Sequence, residues 1–259
     1  LDAYQITGDA SYADTARDIL DYVRRDMTGK QGQFFSAEDA DSPIPGSPGD
    51  HAEGAFYVWE KKQIDEILGE PAAEIFNYTY GVRSGGNVAS DPHGEFPNKN
   101  VLIVSHSIEE TAKKFGKSPA EVQKILAEAR KKLFEARSKR PRPHLDDKAI
   151  TAWNGLMISA FARASQILHD PAYLVVAERA AGFVKSKLYD SKRGTLIRRY
   201  RDGEAALDGY LDDYAYLTQG LLDLYEASFN VSYLEWALAL QKKQDGLFWD
   251  SKAGGYFST

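Results

Sequence analysis

The sequence predicts an all-α fold of stacked helical hairpins, and three observations carry that prediction. A two-helix unit recurs, aligned on Tyr12, Tyr173 and Tyr233. Asp9, Asp170 and Asn230 stand three residues before those tyrosines, each with a side-chain oxygen suited to accept from the free N–H groups of a helix start. Ala16, Ala177 and Ala237, then Met27, Leu188 and Phe248, continue an apolar stripe at helical spacing. The second and third copies also share Asp190-Ser191-Lys192 and Asp250-Ser251-Lys252 ahead of a glycine and an apolar residue, and the first closes on Gly32, Phe34 and Phe35. Units of this kind cannot bury an apolar face alone, so they stack. Stacked hairpins run as an open solenoid or curl into a ring of inner and outer helices, and spacing does not separate the two.

At 259 residues the chain can bury roughly 70–75% of its unfolded surface, which favours one large domain over two small ones. With 32 basic and 38 acidic residues the net charge is -6, which offers no electrostatic footprint for nucleic acid. Cysteine is absent, which excludes a disulfide framework and thiol chemistry in this chain and fits a reducing, cytoplasmic location. No apolar run approaches the roughly 20 residues of a membrane span, so no membrane partner is expected. Leu1-Asp2-Ala3-Tyr4 has neither the basic start nor the apolar core of a signal peptide. Tyr4 and Ile6 read as the end of a helix begun earlier, and Phe257-Ser258-Thr259 follows a turn, so the expectation is a fragment of a longer protein.

After the first hairpin, Glu38, Asp39 and Asp41 open a long loop whose passage from Pro43 to Gly54 is too rich in proline and glycine for a regular element. Long loops in compact domains are often binding loops or lids. Phe56-Tyr57-Val58-Trp59 is β-prone, and Lys61 to Leu68 resumes a helical pattern. A glycine-rich passage from Gly81 to Gly94 follows. Ser107 with Glu110, and Ser118 with Pro119 and Glu121, read as capping boxes. The helix from Pro119 turns Val122, Ile125, Leu126, Ala129 and Leu133 inward and ends before Pro141. Residues 42–145 thus form a loop-rich insertion with extra helices within one domain spanning 1–259. The repeat then returns, with helices over 150–168, 172–188, 214–227 and 233–247.

Four strings, in order, resemble one family: 35–42 (Phe35 to Ser42), 53–59 (Glu53 to Trp59), 143–148 (Pro143 to Lys148) with 152–156 (Ala152-Trp153-Asn154-Gly155-Leu156), and 211–216 (Leu211-Asp212-Asp213-Tyr214-Ala215-Tyr216). The string Asp91-Pro92-His93-Gly94-Glu95-Phe96 matches it as well. The family is that of the YyaL or spermatogenesis-associated, thioredoxin-like proteins, and the similarity runs the length of the chain. The resemblance implies an (α/α) toroid like those of the six-hairpin glycosidases and sugar 2-epimerases, incomplete within this chain. It also implies a thioredoxin-like domain elsewhere in the full protein. It supplies a fold, not a reaction.

In such a toroid, loops at one end of the inner helices surround a cavity, and the acidic strings fall at loop-to-helix junctions. Glu38, Asp39 and Asp41 lie on the long loop, Asp146 and Asp147 precede a helix led by Ala149, and Asp208, Asp212 and Asp213 precede one led by Tyr214. Trp59, Trp153, Tyr210, Tyr214 and Tyr216 stand beside them, and Asn154 sits within a helix. Carboxylates that bind hydroxyls, with flat rings against the apolar faces of a pyranose, suit a saccharide ligand. Glycoside hydrolysis needs two carboxyls roughly 5–5.5 Å apart for retention or 6.5–9.5 Å for inversion, and Asp147 with Asp213 is the pair to test. The bland reading is that aspartates at helix starts are caps, worth about 1 kcal/mol.

Proton abstraction beside a carbonyl, as in a sugar epimerase or isomerase, favours histidine. His51, His93, His106 and His169 read as solvated, and His144 is the one placed close to carboxylates, as general acid or base. The inner helices carry no histidine, unlike those of the 2-epimerases. The basic cluster of Lys131, Lys132, Arg137, Lys139, Arg140 and Arg142 suits the carbonyl end of a helix, or an anionic sugar. No metal spacing, phosphate loop or nucleophile turn is present, so neither metal nor cofactor is expected. Three functions remain: a carbohydrate-active toroid with Asp147 and Asp213 as acid–base pair, an epimerase using His144, and a non-catalytic module binding a glycan or protein for a thioredoxin-like domain.

Overall fold

The computed structural model describes the chain except Pro48, Pro92, His93 and Glu95, so the role expected of His93 lies outside the described residues. From the amino terminus the elements are α1 (Asp2–Thr7), α2 (Ala10–Asp26), β1 (Ala37–Glu38), β2 (Asp41–Pro43), β3 (His51–Glu53), α3 (Lys61–Leu68), α4 (Ala72–Thr79), α5 (Ile108–Phe115) and α6 (Pro119–Arg137). They continue with β4 (Leu145–Asp146), β5 (Ala149–Ile150), α7 (Thr151–Ile167), α8 (Pro171–Lys187), β6 (Tyr189–Asp190), β7 (Thr195–Arg201), β8 (Glu204–Asp208), α9 (Leu211–Ser228) and α10 (Val231–Phe248). Two compact units result, one of Leu1–Ala37 with Leu145–Thr259, the other of Glu38–His144.

The first unit holds the repeats. Asp9, Asp170 and Asn230 cap α2, α8 and α10, accepting from Ser11 N at 2.9 Å, Ala172 N at 2.9 Å and Ser232 N at 3.1 Å. Each of these helices pairs with the one before it, which gives an inner layer of α1, α7 and α9 and an outer layer of α2, α8 and α10. This is the layering of an (α/α) toroid. α7 and α9 run side by side in the same direction: Ala152 meets Asp213 near their starts, Ser159 meets Asp223 midway, and Gln166 meets Glu226 near their ends. Their backbones touch where side chains are missing. A Cβ on Gly155 would stand 2.6 Å from the Leu217 nitrogen, and one on Gly220 2.4 Å from the Gly155 carbonyl oxygen, so both positions require glycine for packing. Ile158, Phe161, Leu217, Leu221 and Leu240 fill the core between the layers.

Each repeat closes in the same way. Phe35 N donates to Met27 O at 2.9 Å, Ile197 N to Leu188 O at 2.9 Å and Phe257 N to Phe248 O at 2.8 Å. The residue before each donor pairs back across the turn, as Phe34 with Thr28, Leu196 with Tyr189 and Tyr256 with Trp249. Between α8 and α9 the closure is extended: β7 pairs with β6 and antiparallel with β5 and β8, a sheet that helical periodicity did not announce.

The second unit packs α3 to α6 around Ile64, Ile75, Phe76, Val122 and Leu126. Both expected capping boxes form, Ser107 with Glu110 and Ser118 with Glu121. α4 was not expected, and Phe56 to Trp59 contributes only a bridge from Trp59 to Asn100 where a strand was anticipated. Two helix starts also differ from expectation. Ala149 and Ile150 pair with β7, so the helix begins at Thr151, and α9 begins at Leu211, which places Asp212 and Asp213 inside its first turn.

Candidate saccharide-facing site

The sequence-nominated residues fall into two groups, one in each unit. In the unit of the repeats they cluster at the starts of α7 and α9. Asp213 is the third residue of α9 and 0% exposed. Its Oδ2 accepts from the Tyr210 N–H at 2.9 Å, closing its own helix, and its Oδ1 accepts from Ala152 N–H at 2.9 Å, tying α9 to α7. Arg198 Nη1 on β7 donates to Asp213 Oδ2 at 2.9 Å and to Asp212 Oδ1 at 3.2 Å. Burial pushes the Asp213 carboxyl above its ordinary range, against the pull of these N–H groups and of Arg198. Burial disfavours the charge on Arg198 too, but Asp213 and Asp212 outweigh it and hold the guanidinium above its ordinary range. A carboxyl with no exposed surface and both oxygens engaged cannot reach a glycosidic bond. The acid–base part expected of Asp213 is therefore corrected to a structural one.

Asn154 and Tyr214, both fourth residues of their helices, are corrected for the same reason. Asn154 is buried, with Oδ1 accepting from Phe34 N at 2.9 Å and Nδ2 donating to Phe34 O at 3.0 Å and Ile150 O at 2.9 Å. Tyr214 is buried, and its hydroxyl accepts from Leu196 N at 2.9 Å. Each satisfies a backbone group of the preceding repeat's closing turn.

The remaining members face outward. Asp147 is half-exposed, with Oδ1 2.9 Å from Arg201 Nε. Trp153 is 47% exposed although Ala152 and Asn154 beside it are buried. Tyr210 and Tyr216 are also exposed, and the Arg198 guanidinium lies 4.4 Å from the Tyr210 ring centroid. Gly155, two residues beyond Trp153, packs directly on the Tyr216 backbone. Trp153 also lines a cavity of about 280 Å³ with Tyr22, Phe34, Phe35, Leu156 and Met157, while Tyr210 and Tyr214 line another of about 250 Å³ with Leu196, Leu247 and Phe248. Sequence reading missed Arg198 and Arg201, which neutralise the nominated aspartates. The signal was the run Arg198-Arg199-Tyr200-Arg201, whose strand character went unrecognised.

In the unit of Glu38–His144 the picture is different. Glu38 accepts from Arg142 Nε at 3.2 Å and Nη2 at 2.5 Å, and from the Tyr57 hydroxyl at 3.0 Å. Asp39 and Asp41 are exposed; Asp39 N donates to the His144 carbonyl at 2.8 Å, and its Oδ1 accepts from Asp41 N at 3.2 Å. His144 itself is exposed. Trp59 is buried, with the Arg140 guanidinium 3.9 Å from its ring centroid and that arginine donating to the Phe56 and Val58 carbonyls. The sugar-stacking part expected of Trp59 is corrected accordingly, since its ring has no free face. Among the described residues no cluster of His, Asp and Glu is placed to hold a metal ion, and no helix is long and apolar enough to cross a membrane.

No family model matches the chain. The chain is 42% identical to human spermatogenesis-associated protein 20 over 98% of its own length and 35% of that protein. It is 40% identical to an uncharacterised protein of Caenorhabditis elegans over 93% of its length and 34% of that protein. The chain thus spans about a third of the length of the curated relatives it matches. Among solved structures, the GH76 α-mannanase from Bacteroides thetaiotaomicron is similar at a TM-score of 0.42 and 12% identity, over 99% of this chain and 76% of that one.

Proposed function

We propose that this chain, homologous over nearly its whole length to the spermatogenesis-associated proteins, presents a saccharide-binding face at the starts of α7 and α9. The observation that carries the reading is the exposure of Trp153, Tyr210 and Tyr216 in the first turns of α7 and α9, with the half-exposed side chains of the Asp147–Arg201 and Asp212–Arg198 pairs at the same end of these helices. Flat rings take the apolar faces of a pyranose, and half-exposed carboxylate and guanidinium groups accept from and donate to its hydroxyls. The face binds rather than hydrolyses through a carboxylate pair, because Asp213 is sealed beneath it. In the whole protein it holds a glycan or glycosylated partner for a thioredoxin-like domain.

Saturation-transfer NMR with a panel of neutral hexoses and disaccharides tests this. Transfer to ring protons is expected for at least one of them, and Trp153→Ala weakens that ligand by about tenfold or more, equivalent to 1.4 kcal/mol, with the fold intact by circular dichroism. Binding unchanged in that variant, or no transfer from any sugar at millimolar concentration, would sink the reading.

A further inference from the structure

The segment between α8 and α9 carries Arg193, Arg198, Arg199 and Arg201, and all but one of these are neutralised. Arg193 lies 3.5 Å from Asp208, Arg198 lies 2.9 Å from Asp213 and 3.2 Å from Asp212, and Arg201 lies 2.9 Å from Asp147 and 3.6 Å from Asp202. Arg199 is the exception. Among the described residues its guanidinium meets no acceptor, carboxylate or aromatic ring.

The sheet register explains the difference. Arg199 stands on the middle strand, between Ile150 of β5 and Ala206 of β8, so both cross-strand neighbours are uncharged. Side chains alternate along a strand. Leu196, Arg198 and Tyr200 turn toward the helices, where Leu196 is buried, Arg198 meets Asp213 of α9 and Tyr200 packs on Phe183 of α8. Arg199 therefore shares the opposite face with Ile197 and with Arg201, the partner of Asp147, about 7 Å along the strand. It is half-buried. Glu204, opposite Arg201, and Asp208, opposite Ile197, flank it diagonally, and neither forms an ion pair with it.

We infer that Arg199 makes the face at the starts of α7 and α9 selective for an anionic saccharide, a hexuronate whose carboxylate it holds by two parallel hydrogen bonds; this rests on the saccharide-binding reading of that face. The planar guanidinium fork matches the two oxygens of a carboxylate. Asp147, Glu204 and Asp208 around it favour a singly charged guest over a phosphate, which carries about twice the charge at neutral pH. The half-exposed Asp147–Arg201 pair beside it offers an acceptor and donors for ring hydroxyls.

Affinities for methyl β-glucuronide and methyl β-glucoside, which differ only in a carboxylate against a hydroxymethyl group, test the inference by NMR titration. The glucuronide should bind about tenfold or more tightly, and high salt should narrow the gap. Arg199→Gln, with the fold intact by circular dichroism, should bring the two ligands together by weakening the glucuronide and leaving the glucoside unchanged, and Arg199→Lys should restore part of the preference. Equal affinities in the parent would overturn the inference and leave the saccharide reading standing, whereas binding of neither ligand would remove both. A preference that survives Arg199→Gln, or tighter binding of glucose 6-phosphate than of the glucuronide, would also overturn it.

Discussion

Asp213 and Asp147 are the same residue type at the starts of neighbouring inner helices, and the fold treats them oppositely. Asp213 lies in the first turn of α9 at the position that faces α7, so its oxygens close one helix and clamp the next. Asp147 precedes β5 and pairs with the half-exposed Arg201. The same split divides Asn154 from Trp153: one residue of rotation around α7 turns the first into the closing turn of the previous repeat and the second into solvent. Chemistry at this end of the molecule is decided by helical phase, and residue type alone does not reveal which half is structural.

The split has its largest expected consequence at Asp213. Asp213→Ala leaves the Tyr210 and Ala152 N–H groups without their acceptor and strips Arg198 of its buried partner, which should lower the free energy of unfolding by about 3–5 kcal/mol in a urea titration. A loss under about 1 kcal/mol would mean that the carboxyl is not a clamp and would return it to the list of candidate acids. Next in size is Asn154→Ala, which orphans both backbone groups of Phe34 and should cost about 1–3 kcal/mol for the buried donor and acceptor left unpaired. Trp153→Ala, one residue away, should change stability by no more than about 0.5 kcal/mol while weakening the ligand by about tenfold or more. Similar losses at the two positions would mean that helical phase does not divide Asn154 from Trp153.

These contrasts also separate what was legible in the sequence from what was not. The hairpin repeat and its caps at Asp9, Asp170 and Asn230 were legible because capping chemistry and apolar periodicity are local. So were the capping boxes at Ser107 and Ser118. The fate of Asp213 was not, because it depends on α9 starting at Leu211 rather than Tyr214, and a shift of three residues converts a presumed preceding loop into a first helical turn. The β7 arginines were missed for a different reason: their partners are set by a strand inserted between two helices, and no helical period marks it. Asn154 and Tyr214 are not separable by sequence, because an inward polar residue on an inner helix faces either a ligand or the neighbouring turn. Here it is the turn.

A smaller effect is expected at Asp147. Its pair with Arg201 is partly exposed, so Asp147→Ala should cost no more than about 1 kcal/mol and should lose stability contrast with the parent in high salt. A penalty approaching that of Asp213→Ala would show that the two aspartates are equivalent after all.

The smallest effect is a matter of pH, and it opposes two carboxyls near the start of α7 and α9. Burial pushes the Asp146 carboxyl up, but the hydrogen bonds from Lys148 and Ser36 and the Lys148 charge, 3.0 Å away, outweigh it and hold the group below its ordinary range. A depressed carboxyl adds stability above its unfolded value, near 3.9, and that contribution is lost as pH falls through the lower folded value. Asp213 runs the other way: a raised carboxyl favours the folded state in its protonated form, so ionising it subtracts stability as pH rises from the unfolded value through the folded one. A carbon-detected NMR titration should place the Asp146 midpoint below that of an unstructured aspartate and the Asp213 midpoint above it. Lys148→Met should move only the first, upward. Coincident midpoints would mean that burial does not divide these aspartates, and the separation of a structural shell from an accessible face would fail at its most sensitive point.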